Sequence, residues 1–452
     1  MCGFIATFSN NSTIIDHFEN NVDTLMSLVG RRGPSTTKNT RGKNFFISHA
    51  LLAINDFVPQ PVEDEKHLLF MNGEIYNQAA LQSKNDTMWL LEFLKGKNPI
   101  SELDGEFIIV SYDKDNDEIM IASDPFATKP CFYVFNSEFL SLSSYQEPLE
   151  MCFGSNPVQE FPPNFYVKIN AKEFKIKETG TVTDWDFKPR YHDFEKWNDS
   201  FRRSIQKRTS TDKNVFLGLS SGYDSGLIVA ELLDLDKKFE SFSIVGAEDE
   251  EILRERSNIV NSSLTGKSFI VSYDQERYDR HLEFIKKNSS NYPYKDVNGN
   301  FIKWMLDDKA AVGLSMICED AIRSNSPIYL SGQGADEIFS DYQTRGPHHG
   351  TIRGNFKNVR SKWTNFDMGF QRNFLAKEER IPGAWGIEAR YPFLDKDVIQ
   401  NFLWLDDNLK NIEYKQCLSQ RLRHHKFPFL ENIKCGFNPL KSLPKGKILY
   451  GA

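Results

Sequence analysis

The texture of the chain changes once, near residue 190, and that change limits the fold more than any motif does. Before it, short apolar runs alternate with turns, at residues 4–8, 45–52, 67–71, 107–112, 118–122, 131–135 and 164–169. Runs of this kind, bounded by Gly, Pro, Asn and Asp, read as strands of a packed antiparallel sandwich. Residues 86–95 carry a helical pattern, with Asn85 or Asp86 near the cap, so a helix flanks the sandwich. After residue 190 strands alternate with helices. Helices are expected at 191–210, 225–233, 250–263, 273–288 and 303–323, and strands at 215–219, 239–245, 267–272 and 328–331. That alternation predicts a parallel α/β sheet with helices on both faces. The polar stretch 171–190 holds Gly180, Thr181, Thr183, Asp184 and Pro189 and reads as the linker region. The expected domains are residues 1–180 and 191–452, and 452 residues is indeed too long for one ordinary core.

Charge and cysteine content exclude several classes. The chain has 55 Lys+Arg against 62 Asp+Glu, a net charge of −7. A nucleic-acid protein is more often basic. The one basic run, residues 421–426, reads as a solvated helix end. None of the 6 cysteines forms a Cys-x-x-Cys pair, so no zinc site is expected. Their sparsity fits a reducing cytosol. No charged-then-apolar leader and no apolar run of membrane-spanning length is present, so the expectation is a soluble cytoplasmic protein with no membrane partner.

Four segments could carry chemistry. Cys2 follows the initiator Met1 and precedes Gly3. If Met1 is removed, Cys2 gains an α-amine of ordinary pKa about 7.7–8.0, able to serve as base for its own thiol. The plainer reading is a small buried hydrophobe at the start of a strand. Asn72-Gly73 follows an apolar run. An Asn side chain beside a Gly backbone N–H makes a workable oxyanion hole, but the same pair alone is a common hairpin turn. Residues 215–219 run into Ser220-Ser221-Gly222-Tyr223-Asp224-Ser225 and then a helix. Small residues and hydroxyls at a helix start favour phosphate, and Asp224 could hold Mg2+ against it. A tight turn would also want small residues there. Ser331-Gly332-Gln333-Gly334-Ala335-Asp336-Glu337 follows a second strand, and Asp336 offers a second hard oxygen ligand.

Taken in order, these motifs resemble the glutamine-dependent asparagine synthetase family, a class II glutamine amidotransferase domain joined to a pyrophosphate-loop synthetase domain. Cys2-Gly3, Arg31-Arg32-Gly33-Pro34, Asn72-Gly73-Glu74-Ile75-Tyr76-Asn77 and Asp86-Thr87 match its first half. So does Asp124-Pro125 through Lys129-Pro130, with Ala127 at a Gly position. The second half matches through residues 220–225, 331–337 and Glu388-Ala389-Arg390-Tyr391-Pro392-Phe393-Leu394-Asp395. The resemblance runs from residue 2 to about 440. It implies an N-terminal-nucleophile fold and a two-step ligase. Cys2 would release ammonia from glutamine, with Asn72 and Gly73 holding the oxyanion and Glu74 and Asp86 the amino end. ATP would activate a carboxylate as an acyl-adenylate, aspartate by default. Leu219, Ser220, Ser221, Gly222, Asp224, Ser225, Ile244, Ser331, Gly332 and Lys434 would form the ATP and pyrophosphate site. The plainer reading of Lys434 is a surface lysine before Gly436. Asp224 and Asp336 would hold Mg2+. Glutamine, ATP and a carboxylate acceptor are the implied partners, and a homodimer is compatible.

Two positions depart from the family pattern. Leu51 stands where the family has an Arg that clamps the glutamine α-carboxylate, and it cannot make a bidentate pair. Gln333, at the acceptor site, stands where the family has Glu, and it cannot take a proton. Ser221 in place of the first loop Gly is a milder change. Two further readings therefore stay open. One keeps the chemistry and changes the acceptor to a carboxylate on a secondary metabolite, sugar or modified base. The other is a weakened binding or regulatory protein on this fold.

Overall fold

The computed structural model describes residues 2–83, 85–154, 156–342, 352–434, 437–439 and 448–449. The chain divides into two compact units. Unit 1 takes residues 1–184 with 288–290 and 383–388, and unit 2 takes the remainder. The two short returns were not visible in the sequence. Ser290 Oγ ties the first to Glu147 Oε2 at 2.9 Å, and the second follows from close packing: a Cβ at Gly383 would lie 3.1 Å from Arg32 Nη1, and one at Gly386 would lie 2.8 Å from Pro34.

Unit 1 holds two six-stranded sheets among the described residues. The strands are β1 (Gly3–Ser9), β2 (Thr36–Arg41), β3 (Phe45–Leu51), β4 (Val62–Glu63), β5 (His67–Ile75) and β6 (Gly105–Asp113). They continue with β7 (Glu118–Ser123), β8 (Phe132–Phe135), β9 (Phe139–Ser143), β10 (Gln159–Glu160), β11 (Phe165–Asn170) and β12 (Lys175–Thr181). One sheet has the order β10-β8-β9-β1-β3-β2 and the other β12-β11-β7-β6-β5-β4. Their pairings are antiparallel. Phe4, Ala6 and Phe8 alternate along β1 into one apolar cluster with Leu68 and Phe70 of β5 and Ile108 and Val110 of β6. A pleated strand points successive side chains to opposite faces, so this shared cluster is the filling between two sheets. Phe4 meets Phe70 edge-on, with ring centroids 5.1 Å apart. The other face of β5 buries Leu69 and Met71 against Leu90 and Leu91 of the helix Asp86–Lys95. The expected sandwich with a flanking helix is therefore present.

The expected linker holds a strand. β12 pairs with β11 from Phe165↔Thr181 to Asn170↔Lys175. It is an edge strand, exposed almost throughout, so its residues carry no apolar alternation to mark it. Asn72-Gly73 is likewise no hairpin turn: both residues lie inside β5, paired to Ile108 and Phe107.

Unit 2 is built on a five-stranded sheet of order β15-β14-β13-β18-β19 among the described residues. Its strands are β13 (Val215–Gly218), β14 (Phe239–Ser243), β15 (Gly266–Ile270), β18 (Ile328–Leu330) and β19 (Glu388–Arg390), and a separate hairpin supplies β16 (Pro293–Lys295) and β17 (Phe301–Trp304). β13, β14, β15 and β18 pair in parallel. The helix expected at 303–323 begins only at Lys309, with Asp308 as its cap. Ahead of it come a 3-10 turn at Met305–Asp307 and, before that, β17, whose Phe301, Ile302 and Trp304 are exposed. Among the described residues no helix is long and apolar enough to cross a membrane.

Candidate active sites

In unit 1, β1 and β5 belong to different sheets, and the residues that matter stand at neighbouring positions of the sandwich. Cys2 precedes β1 and is buried. Its backbone N–H donates to Asn72 Oδ1 at 2.9 Å. Asn72 is fully buried, and its Nδ2 has no hydrogen-bond partner. A buried N–H without a partner is costly and rare, and it marks a place where an acceptor is awaited. Gly73 follows at φ +134, and a Cβ there would fall 1.8 Å from Glu106 O. Only glycine fits, so the pleat bends directly after Asn72. The Cys2 thiol is pushed up by burial, with a smaller opposing pull from the Leu52 backbone N–H. Glu74 and Glu388 push it further up, which places both carboxylates within electrostatic reach of the sulfur. Asp86 opens its helix, and its Oδ2 accepts from Ile75 N at 3.1 Å. That bond fixes the helix start beside the strand end that carries Glu74.

Three buried groups brace this corner. Arg32 Nε donates to Cys2 O at 2.8 Å, and its guanidinium lies over the Tyr145 ring. Gln60 accepts from Met71 N at 2.7 Å and reaches Thr87 Oγ1 at 3.3 Å. His49 Nε2 lies 3.1 Å from Met71 O, and burial lowers its pKa to about 4. The ring is therefore neutral at pH 7, and Nε2 donates.

In unit 2 the loops after β13 and β18 emerge side by side, because the two strands are parallel neighbours. β14 flanks β13 on the other side, so this is the switch point of an open sheet, where ligands bind. A Cβ at Gly332 would stand 3.0 Å from Asp224 Cβ, so the loops touch. Leu219 and Ile244 are buried at the same edge, with Ser243 Oγ donating to Leu219 O at 2.8 Å. Within the first loop Ser220 Oγ lies 2.8 Å from Ser225 Oγ and accepts from Gly222 N at 3.1 Å. Ser221 is already committed. Its N–H and hydroxyl both donate to Glu248 Oε2, at 2.8 and 2.5 Å. Arg256 grips the loop from below through the carbonyls of Ser220 and Gly222.

Asp224 and Asp336 sit in the first turns of their helices and converge on one cation. Lys415 Nζ lies 2.5 Å from Asp224 Oδ1 and 2.9 Å from Asp336 Oδ1. Burial alone would lower the Lys415 pKa, but the two carboxylates outweigh it and raise it, so the ammonium stays charged. Tyr414 OH adds a bond to Asp336 at 3.1 Å. Lys434 lies in the short strand Ile433–Lys434, and its side chain falls outside the described residues.

Residues 1–161 match the glutamine amidotransferase domain family. A putative glutamine-hydrolysing asparagine synthetase of Methanocaldococcus jannaschii is 25% identical, covering 88% of this chain and 75% of its own. Asparagine synthetase B of Escherichia coli K12 is 22% identical, over 94% of this chain and 78% of its own. Along most of its length, the chain is thus similar to glutamine-hydrolysing asparagine synthetases. Among solved structures, a glutamine phosphoribosylpyrophosphate amidotransferase from B. subtilis superposes with TM-score 0.31 and 13% identity, over 48% of this chain and 60% of its own.

The two departures from the asparagine synthetase pattern now have surroundings. Leu51 ends β3 and is buried, directly ahead of the Leu52 N–H that faces the Cys2 sulfur. Gln333 N donates to Ser331 Oγ at 3.1 Å. Its side-chain amide faces the buried Glu337 carboxylate, yet Nε2 closes no hydrogen bond of ordinary geometry. Lys415, Glu248 and Arg256 were missed in the sequence. Nothing in their immediate neighbours marks them, and their partners lie 191, 27 and 34 residues away.

Proposed function

We propose that this chain is an ATP- and glutamine-dependent carbon–nitrogen ligase, with aspartate as its default acceptor. Its unit 1 is read as an N-terminal-nucleophile sandwich and its unit 2 as an ATP-pyrophosphatase sheet covered on both faces. The observation that carries the reading is the divided use of Asn72: Oδ1 holds Cys2 N while Nδ2 is left buried without a partner. Loss of Met1 turns the Cys2 amide into an α-amine that still donates to Asn72. The amine takes the thiol proton, and the sulfur attacks the glutamine side-chain carbonyl. Asn72 Nδ2 and the Gly73 N–H receive the oxyanion. Glu74 and Asp86 hold the ammonium end of the substrate. Ammonia leaves, and water clears the acyl-enzyme.

In the second site ATP lies against residues 219–225, Ile244, Ser331 and Gly332, and the acceptor carboxylate attacks its α-phosphate to give an acyl-adenylate and pyrophosphate. Asp224 and Asp336 would hold Mg2+. That they can share a cation is supported by the Lys415 ammonium standing between them. The bound ion supplies charge neutralisation for the triphosphate. Lys415 holds charge at the same place, and Lys434 is assigned to the pyrophosphate. Cys2→Ala should abolish glutamine-dependent synthesis and leave ammonia-dependent synthesis intact. Glutaminase activity surviving in that variant would overturn the assignment.

The Gln333 amide favours a second reading, in which the acceptor is another carboxylate with a neutral hydrogen-bonding group. A carboxylate-library screen for pyrophosphate release decides between them. Aspartate alone supports the first reading, and a different carboxylate the second.

A further inference from the structure

Amide formation leaves a surplus proton on the attacking nitrogen. Ammonia's lone pair forms the new C–N bond at the acyl carbon. The bond from that carbon to the adenylate oxygen breaks, and AMP leaves with the electron pair. The nitrogen, now bearing three hydrogens and a positive charge, must release one proton to a base. Gln333 cannot be that base, because an amide side chain does not accept a proton near neutrality.

The structure places another carboxylate at this strand end. Glu378 lies in the helix Phe370–Ala384 and is buried. Its Oε2 accepts from Ser331 Oγ at 2.9 Å, and the same Ser331 Oγ accepts from Gln333 N at 3.1 Å. One hydroxyl thus links the Gln333 backbone to a carboxylate 47 residues further along the chain. Tyr329, on β18, also hydrogen-bonds to Glu378 and stacks on Phe216 of β13. Lys377 Nζ stands 3.6 Å from the second oxygen, Oε1. A carboxylate so tied to the loop that touches Asp224 is held at the mouth of the nucleotide site by the sheet itself.

We infer that Glu378 takes the proton released when ammonia attacks the acyl-adenylate, in place of the carboxylate that position 333 lacks. The inference rests on the ligase reading above. It names a residue for one step of that reaction, after adenylation and before AMP release.

The test separates those two steps in the full-length protein. Wild type is given ATP, Mg2+, ammonium chloride and aspartate, or whichever carboxylate the pyrophosphate-release screen returns. Adenylation is read as acceptor-dependent exchange of labelled pyrophosphate into ATP, and amide formation by mass spectrometry. Glu378→Gln should keep exchange within about twofold of wild type and lower amide formation by roughly 100-fold or more, the usual worth of a positioned base. Adding Gln333→Glu to that variant should recover at least tenfold, because it returns a carboxylate to the same strand end. Wild-type amide formation in Glu378→Gln would overturn the inference. So would joint loss of exchange and amide formation with no recovery in the double variant, which is what a merely structural residue would give. No acceptor-dependent exchange by wild type would instead sink the ligase reading itself, and this inference with it.

Discussion

Asn72 offers the sharpest test of the glutaminase half, because its two side-chain atoms have separable roles. Oδ1 accepts from Cys2 N at 2.9 Å, and Nδ2 is buried with no partner. Asn72→Ala removes both. Loss of one oxyanion donor is worth about 2.7–4 kcal/mol, or roughly 100- to 1,000-fold in glutaminase kcat. The same change leaves Cys2 N without its acceptor in a buried place, at a cost of about 1–3 kcal/mol in stability. Asn72→Asp keeps the size and the acceptor but replaces the donor with a second oxygen. Its melting temperature should therefore lie above that of Asn72→Ala, while its glutaminase kcat at pH 8 stays at least about 100-fold down. Both variants should make amide from ammonia at the wild-type rate. The assay is glutamate release from glutamine, run beside ammonia-dependent product formation and thermal melts. Wild-type glutaminase kcat in Asn72→Asp would refute the oxyanion role. An equal fall in ammonia-dependent synthesis would show a folding defect instead.

Three further outcomes are expected. Leu51→Arg should lower the apparent KM for glutamine about tenfold, since a charge-assisted bond is worth about 1.5–3 kcal/mol; an unchanged KM would mean that another group already holds the carboxylate. Lys415→Met removes one partner of a buried ion pair, at a cost of about 3–5 kcal/mol, and leaves Asp224 and Asp336 facing each other. Its melting temperature should fall, and Mg2+ should raise it by more than it raises wild type; no such difference would argue against a shared cation site. His49 binds its proton less tightly folded, at about 4, than unfolded, at about 6.5. Its contribution to stability is therefore complete above pH 6.5 and lost as pH falls to 4, a span worth about 3 kcal/mol. His49→Gln should flatten unfolding free energy against pH across that window, and an unchanged slope would assign the acid sensitivity elsewhere.

How much of this could be read from the chain depended on whether a feature is local. Strands β1, β3, β5, β6, β7, β8 and β11 announced themselves as apolar runs, as Phe4, Ala6 and Phe8 do by filling the interior from β1, whereas β2, β4, β9 and β10 were not read from the sequence. Nor was β12, because an exposed edge strand has no buried face and its polar residues look like a linker. β17 failed in the opposite sense, its last residues falling inside the helix expected at 303–323. The loops at 219–225 and 331–337 were legible for a further local reason. A strand that must turn sharply into a helix needs small residues and hydroxyls, and those are also what a phosphate needs.

The missing information lies in the partners of those loops. Sequence punctuation placed Asp224 and Asp336 just after strand ends, but not the Lys415 ammonium that both carboxylates contact. It found Ser221 as a departure from a glycine pair. It could not find Glu248, which receives both of that residue's donors and so gives the added hydroxyl a use. It marked Gln333 as a lost carboxylate. It could not see Glu378 reaching the same hydroxyl from the helix Phe370–Ala384, which lies between β18 and β19 in the chain. In each case the substituted residue is local and the residue answering it is distant in the chain. A departure from a motif is therefore weak evidence of lost function until the side chains packed against it are known. Gln333→Glu in an otherwise wild-type chain makes the point measurable: with Glu378 already placed there, a second carboxylate should raise ammonia-dependent synthesis by less than about twofold. A large gain from that single substitution would mean that the base was missing after all.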